Sequence, residues 1–275
     1  MSNSAVKIEN LSFTYPNGFI ALENIQLDIK VGEFVGIIGQ NGAGKSTLLK
    51  NIIGLLKPTS GDVNILDCNT RETSVAKLST RVGFVLQNPD RQLFADNVYD
   101  EIAFGPKNLK LPQEEIKRRV AYAIEFAGLE GLEKRYPPAL SAGDRAKVVI
   151  ASVMAMEPEV IILDEPTTGQ DEKGCHQIMN IAKRFHDMGR TVIVVTHHMA
   201  LVTQYAERTI VFCKGEVLLD GPTRIVFGQP EILKKSYVVP PQITQLANAL
   251  GEQYAIEDTV LTIDELEALV LKKLK

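Results

Sequence analysis

Cysteine is scarce in this chain. Cys68, Cys175 and Cys213 lie far apart and never in a C-x-x-C spacing. That pattern argues against a disulfide framework and a zinc site, and fits a reducing compartment. Long hydrophobic runs are missing too. Runs such as TVIVV fall far short of the ~20 apolar residues a bilayer-crossing helix needs, and the opening MSNSAVKIEN has no apolar core of signal-peptide length. Nor is there a basic excess. Net charge is −4 and the pI ≈ 5.7, so composition gives no support to nucleic acid as a partner. The expectation is a soluble protein whose membrane role, if it has one, comes through a partner. What is present is 275 residues, 45% hydrophobic and 23% charged. That is enough for one large globular domain with a sizeable core, alone or with a small appendage.

The patterning alternates between the strand and helix periods. VKIENLSFTY and ALENIQLDIK read as strands separated by the turn-forming PNG. GEFVGIIG is a short apolar run of buried-strand type, and KSTLLKNIIGLL follows it with apolar residues at helical spacing. RVGFVLQ is a further strand candidate. From about 88 to 156 the pattern turns helical, most clearly in PQEEIKRRVAYAIEFAGL. Strands return at EVIILDEP and RTVIVVTH with a helical segment between them, which predicts a largely parallel sheet with crossover helices. RTIVFCKGEVLLDG reads as a hairpin turning at Lys214-Gly215. After Pro240-Pro241 the chain changes character. It ends in TIDELEALVLKKLK, with Thr262 and Glu265 in capping-box spacing and Leu266, Leu269, Val270 and Leu274 on one face.

Two segments carry chemistry. GQNGAGKS, Gly39 to Ser46, matches G-x-x-x-x-G-K-[ST] in full and sits after an apolar strand and before a helix. Glycines there let backbone N–H groups wrap phosphates, and the helix N-terminus adds positive potential. Lys45 would meet the β- and γ-phosphates and Ser46 would ligand Mg²⁺. A glycine-rich turn with a solvent-facing lysine is the plain alternative, and the strand–loop–helix context disfavours it. VIILDE supplies a second half: Asp164 at a strand end suits the Mg²⁺ shell, and Glu165 next to it suits polarisation of an attacking water. LSAGDR, 140 to 145, has two readings. Ser141 and Asp144 make an ordinary helix cap, and the same serine and Gly143 at a helix N-terminus could clamp a phosphate.

With these motifs in order, the chain from its first strands to about Gly221 resembles the nucleotide-binding subunit of an ATP-binding cassette (ABC) transporter. The resemblance implies an α/β fold: a P-loop NTPase core with an antiparallel β subdomain, a helical signature subdomain and a small C-terminal α-rich extension. LSAGDR stands where that family carries L-S-G-G-Q, which completes the ATP site of the opposite subunit in a head-to-tail dimer. By position, the resemblance makes Gly39, Asn41, Gly42, Ala43, Gly44, Lys45, Ser46 and Thr47 the phosphate loop. It makes Tyr15 the adenine-stacking aromatic, and Ser46, Gln87 and Asp164 the Mg²⁺ ligands. Glu165, His197, Lys45 and Gln87 become the catalytic set, with His198 beside His197 where the family is usually acidic. Ser141, Ala142, Gly143, Asp144 and Asp171 would serve the partner's site. Ala142 and Asp144 depart from the family pattern.

LQNPDRQLF, DEIAFGPKNLKLP, GPTRIVFGQPEIL and PPQITQLANAL narrow the resemblance to the ATPases of energy-coupling-factor (ECF) importers, which take up vitamins and transition-metal ions. The expectation is an ABC domain over 1–225, with a helical subdomain at about 88–156, and a dimerisation extension over 226–275. Implied partners are a second ATPase subunit (a copy or a paralogue), a transmembrane coupling subunit and a solute-binding membrane subunit. The implied place is the cytoplasmic face of the membrane, peripherally bound. DNA-repair ATPases of this type insert a long coiled coil between the two nucleotide motifs, and translation types usually carry two cassettes; neither feature is present. The alternatives are the ATPase of another ABC importer class, or a catalytically weakened regulatory subunit of a heterodimeric pair, which draws support only from Ala142 and Asp144.

Overall fold

The computed structural model describes residues 3–254 and 258–273. In chain order the first strands are β1 (Ser4–Thr14), β2 (Ile20–Lys30), β3 (Phe34–Gly39), β4 (Ser60–Ile65) and β5 (Cys68–Asn69). They are followed by β6 (Val82–Val85), β7 (Val160–Asp164), β8 (Thr191–Val195), β9 (Arg208–Cys213) and β10 (Glu216–Pro222). The helices begin with α1 (Lys45–Ile52), α2 (Val75–Leu78), α3 (Val98–Asn108), α4 (Gln113–Ala127) and α5 (Ala142–Met154). Next come α6 (Glu172–Asp187), α7 (Met199–Tyr205), α8 (Thr223–Phe227), α9 (Pro230–Leu233), α10 (Gln242–Tyr254) and α11 (Ile263–Lys273).

Two sheets divide the strands. A six-stranded sheet runs β10-β9-β3-β8-β7-β6, parallel except for the β9–β10 hairpin at its edge. A four-stranded antiparallel sheet runs β2-β1-β4-β5. The period-two pattern of the central strands sends side chains to two separate cores. Val35, Ile37, Ile162, Ile193 and Val195 face the antiparallel sheet, where Leu48, Leu49 and Ile52 of α1 join them. Phe34, Ile38, Ile161, Leu163, Val192 and Val194 face the other way, against α5, α6 and α7. A parallel strand buried on both faces is continuously apolar for this reason. The hairpin turns where the sequence says: Lys214 (φ 50°) and Gly215 (φ 85°) both lie in the left-handed region, as a two-residue turn matched to strand twist requires.

α1 is shorter than its apolar spacing suggests. Gly54 takes φ 75° and the Leu56 N–H turns back to the Lys50 carbonyl at 3.0 Å, closing the helix before Leu55. α3, α4 and α5 form a helical layer whose Val98, Ile102, Val120, Ile124, Val148 and Val149 interlock. Beyond 225, Val226, Phe227, Leu233, Val238 and Leu261 pack into the main core. Ala247, Val260 and Leu266 form a small cluster of their own. Thr262 Oγ1 accepts from the Glu265 N–H at 3.2 Å, the cap its spacing predicts, and the Glu265 carboxylate pairs with Arg224. Leu274, expected on the apolar face of α11, lies outside the described residues. Among the described residues, no helix is long and apolar enough to cross a membrane.

Candidate nucleotide site

The C-terminal ends of β3, β7 and β8 open into one cleft of ≈ 240 Å³. It is the crevice at strand ends where open α/β sheets place ligands. The loop after β3 forms one wall. Its two end glycines are required by geometry. At Gly39 φ is 145°, and a Cβ would sit 2.2 Å from the Phe212 carbonyl oxygen. At Gly44, the left-handed residue that starts α1, φ is 104° and a Cβ would meet the Ala21 carbonyl oxygen at 2.7 Å. Asn41, Gly42 and Ala43 line the cleft between them. Among the described hydrogen bonds, none is donated by the N–H of Gly42, Gly44, Lys45 or Ser46. A concave run of free donors at a helix N-terminus is a seat for a polyphosphate.

Lys45 is buried, with its ammonium donating to the carbonyls of Gly39 (2.6 Å) and Gln40 (2.9 Å). Burial lowers its pKa, while Glu165 and Asp164 opposite hold it up. The ammonium thus stays in the loop, aimed along the cleft wall. Asp164 ends β7. Burial raises its carboxyl pKa against the pull of Lys45, Lys50 and the Ser46 hydroxyl. The Ser46 hydroxyl, the Asp164 carboxylate and the Gln87 amide reach the same cleft. This is a set of hard oxygen donors, which fits Mg²⁺.

Glu165 is the most constrained residue of the site. It is 6% exposed, and its backbone takes φ 51°, costly for a side chain with a Cβ. The twist is fixed by its N–H donating to the Val195 carbonyl of β8 at 2.8 Å. Its Oε2 accepts the His197 N–H at 3.3 Å. Its Oε1 lies 2.9 Å from His197 Nε2 without hydrogen-bond alignment, so it remains unpartnered. Burial pushes the Glu165 pKa up to about 7, against the His197 N–H and Lys45, with Asp164 adding to the rise. His197 is pushed down by burial, Lys45 and His198. A carboxyl near neutrality and a neutral imidazole therefore share one end of the cleft. His198 faces elsewhere, lining a separate groove beside α6, α7 and α11.

Tyr15 sits at the rim. Its hydroxyl is 3.0 Å from Thr47 Oγ1 and its ring stacks on Phe19 at 6.4 Å. Phe19, 58% exposed, lines the cleft itself. Sequence reading missed Phe19: it follows a PNG turn, and nothing in its spacing separates it from a loop aromatic. Gln92 was missed as well. Its amide accepts the Leu86 N–H (2.7 Å) and donates to the Phe84 carbonyl (3.0 Å), fixing the chain on either side of Val85 and so the entry to Gln87.

The remaining predicted residues lie outside the cleft. Ser141, Ala142, Gly143 and Asp144 open α5, with Ser141 and Ala142 exposed. Ser141 Oγ accepts the Asp144 N–H (3.1 Å) and donates to the Asp144 carboxylate (2.7 Å). Asp171 caps α6 by accepting the Gly174 N–H at 2.7 Å. The neighbouring Gln170 amide oxygen lies against Gly143, 3.2 Å from where a Cβ would be. The structure thus joins the phosphate-loop residues, Asp164, Glu165 and His197 in one cleft and gathers the signature and Asp171 segments at a second place.

Comparison with known proteins gives the family. The ABC transporter family model matches residues 22–168. An energy-coupling factor transporter ATP-binding protein, EcfA2, of Caldanaerobacter subterraneus is 41% identical over 98% of each chain. The solved structure of cbiO1 from Clostridium perfringens, part of the ABC transporter complex cbiONQ, is 38% identical. It covers 90% of this chain and 100% of its own, with TM-score 0.79. A dimeric ATP-binding cassette in a post-hydrolysis state with ADP and Pi bound is 34% identical over 80% of this chain and 99% of its own, TM-score 0.72. Against three longer relatives named as ABC transporter ATP-binding proteins, the chain spans less than half of their length. On the matched family model and the full-length likeness to the cassette proteins, the chain belongs to the ABC transporter family.

Proposed function

We propose that this chain is the ATP-hydrolysing subunit of an ECF-type importer, carrying a vitamin or a transition-metal ion. The observation that supports it most is the convergence of Lys45, Asp164, Glu165 and His197 on one cleft beside a loop of free N–H donors. Gly39 to Thr47 would hold the triphosphate, with Lys45 meeting the β- and γ-phosphates. Tyr15, with Phe19 beside it, would carry the adenine. Ser46, Gln87 and Asp164 would hold Mg²⁺, which supplies charge neutralisation of the phosphates when bound. Glu165 would orient the attacking water and take its proton. A carboxylate with a pKa near the working pH is suited to that exchange. His197 would donate to the γ-phosphate, and its backbone N–H steadies the Glu165 carboxylate. Positioning and charge stabilisation are the terms that phosphoryl transfer needs.

In this reading the site is completed by a second subunit, whose Ser141 and Gly143 would face the γ-phosphate across the interface, with Ala142, Asp144 and Asp171 beside them. Residues 226–275 would form the extension that helps hold two subunits together. The segment after Gln87 would meet a transmembrane coupling subunit, placing the chain peripherally on the cytoplasmic face of the membrane. A weakened, regulatory role has one observation in its favour: the Ser141 hydroxyl already donates to Asp144. The test is ATP turnover by the complex purified with its partner chains. Saturable Mg²⁺-dependent phosphate release, lost in Glu165→Gln, supports the hydrolytic reading. Binding without turnover supports the regulatory one.

A further inference from the structure

We infer that Arg145 is a positioning residue that fixes the signature serine to the loop following Gln87, through Asp90. The inference rests on the proposed role of Ser141 at a partner's ATP site. Arg145 lies in the first turn of α5 and its guanidinium reaches in two directions. Nη1 donates to the Leu140 carbonyl at 2.7 Å, the group directly preceding Ser141. Nε, buried and with no aligned hydrogen-bond acceptor, lies 2.8 Å from Asp90 Oδ1. It is therefore held by charge.

Asp90 is itself fixed. It sits in the 3₁₀ turn Pro89–Arg91, and its N–H donates to the Asn88 side chain at 2.9 Å. The far end of the turn is closed onto β6 by the two Gln92 hydrogen bonds, 2.7 Å and 3.0 Å. Gln87 thus lies in a short segment pinned on both sides, and Arg145 extends that segment to the carbonyl before Ser141. A displacement of the turn moves Asp90, then Arg145, then the start of α5. Two elements joined through a charged contact can carry a coupling of this kind. Arg145 does not line its own nucleotide cleft. Its effect would fall on a partner's site, in the turnover step that needs Ser141 in register, and not on the binding of ATP by its own phosphate loop.

Asp90→Asn removes the charge with little change of shape, and Arg145→Gln removes both contacts. Steady-state turnover would be measured for each, and for the double variant, on the full chain purified with its native partner chains. Each single variant should lower kcat about fivefold with KM for ATP within twofold. The double variant should be no worse than Arg145→Gln, since both changes break one link. A packing role would leave kcat unchanged, and independent roles would multiply the losses to about 25-fold; either result overturns the inference. Amide exchange keeps the test separate from the ATPase reading. In Asp90→Asn the Asp144 and Arg145 amides, which donate to the Ser141 hydroxyl and carbonyl, should exchange at least about fivefold faster. Unchanged exchange refutes the link even where the wild type hydrolyses nothing.

Discussion

The phosphate-loop cleft and the signature segment differ in how they are built. In the cleft, Lys45, Thr47 and Glu165 are buried at 7%, 8% and 6% exposure; Lys45 and Glu165 are held by backbone carbonyls of the preceding loop and of β8, and Thr47 by the Tyr15 hydroxyl. At the signature, Ser141 and Ala142 are exposed, and the described hydrogen bonds of the Ser141 side chain are to Asp144 of its own helix turn. One region is buried within the fold. The other presents the Ser141 hydroxyl at an exposed helix start, tied to the rest of the chain through Arg145 and Asp90. On the proposed shared-site reading, the difference teaches that one half of a site can be preorganised by burial while the other half stays exposed for a partner.

Breaking the buried half should have the largest effect. Lys45→Ala should lose most ATP affinity in direct binding titration, because among the described residues no other side-chain cation bonds the Gly39 and Gln40 carbonyls that it now bridges. Glu165→Gln should bind ATP normally, slow turnover by about 10²-fold or more, and accumulate an ATP-bound dimer. Turnover near wild type in that variant would remove Glu165 from the role of base.

Breaking the exposed half should abolish turnover by another route. Ser141→Arg places a bulky cation at the surface that must close, so phosphate release should vanish while ATP still binds. Circular dichroism should be unchanged, since the residue is exposed and its substitution costs no core packing.

The pH dependence separates the halves next. The free chain's Glu165 has its pKa raised to about 7, so it loses its charge as pH falls through that value. kcat/KM should therefore fall about tenfold per unit below pH 7, reporting the free enzyme's base. The same raised pKa means that ionising Glu165 costs folding stability as pH rises from its unfolded value, near 4.5, to about 7. Thermal stability should thus drop across that window in wild type and less in Glu165→Gln.

These contrasts also explain what was legible in the sequence. The parallel core was readable because strands such as FVGIIG and VIILD are buried on both faces, and the hairpin because Lys214-Gly215 suits a left-handed pair. β4 and β5 were not. In SGDVNI only Val63 and Ile65 are buried, and the strand exists because β1, some fifty residues earlier, offers it an edge. The cleft residues were readable because phosphate chemistry demands fixed spacing. Phe19, Gln92 and Arg145 were not, because their roles arise from contacts across loops. Glu101, a buried acid whose carboxylate accepts the Phe94 and Ala95 N–H groups, looked like any polar position on a helix.

The smallest effects should sharpen the comparison. Asp144→Gln with Ala142→Gly frees the Ser141 hydroxyl from its carboxylate and removes one methyl from the surface. Turnover should rise several-fold at most, more at low salt. Phe19→Ala and Tyr15→Ala should each weaken ATP binding with kcat at saturation unchanged, measured by fluorescent-nucleotide competition.

The most direct test of the two-half site is turnover per chain as a function of protein concentration, with Ser141→Arg mixed into the wild type. Turnover per chain should rise with concentration as subunits pair, and added Ser141→Arg chains should suppress it by forming dimers with a blocked site. Concentration-independent turnover that ignores the added variant would mean that one chain completes the site alone, contradicting the shared-site reading.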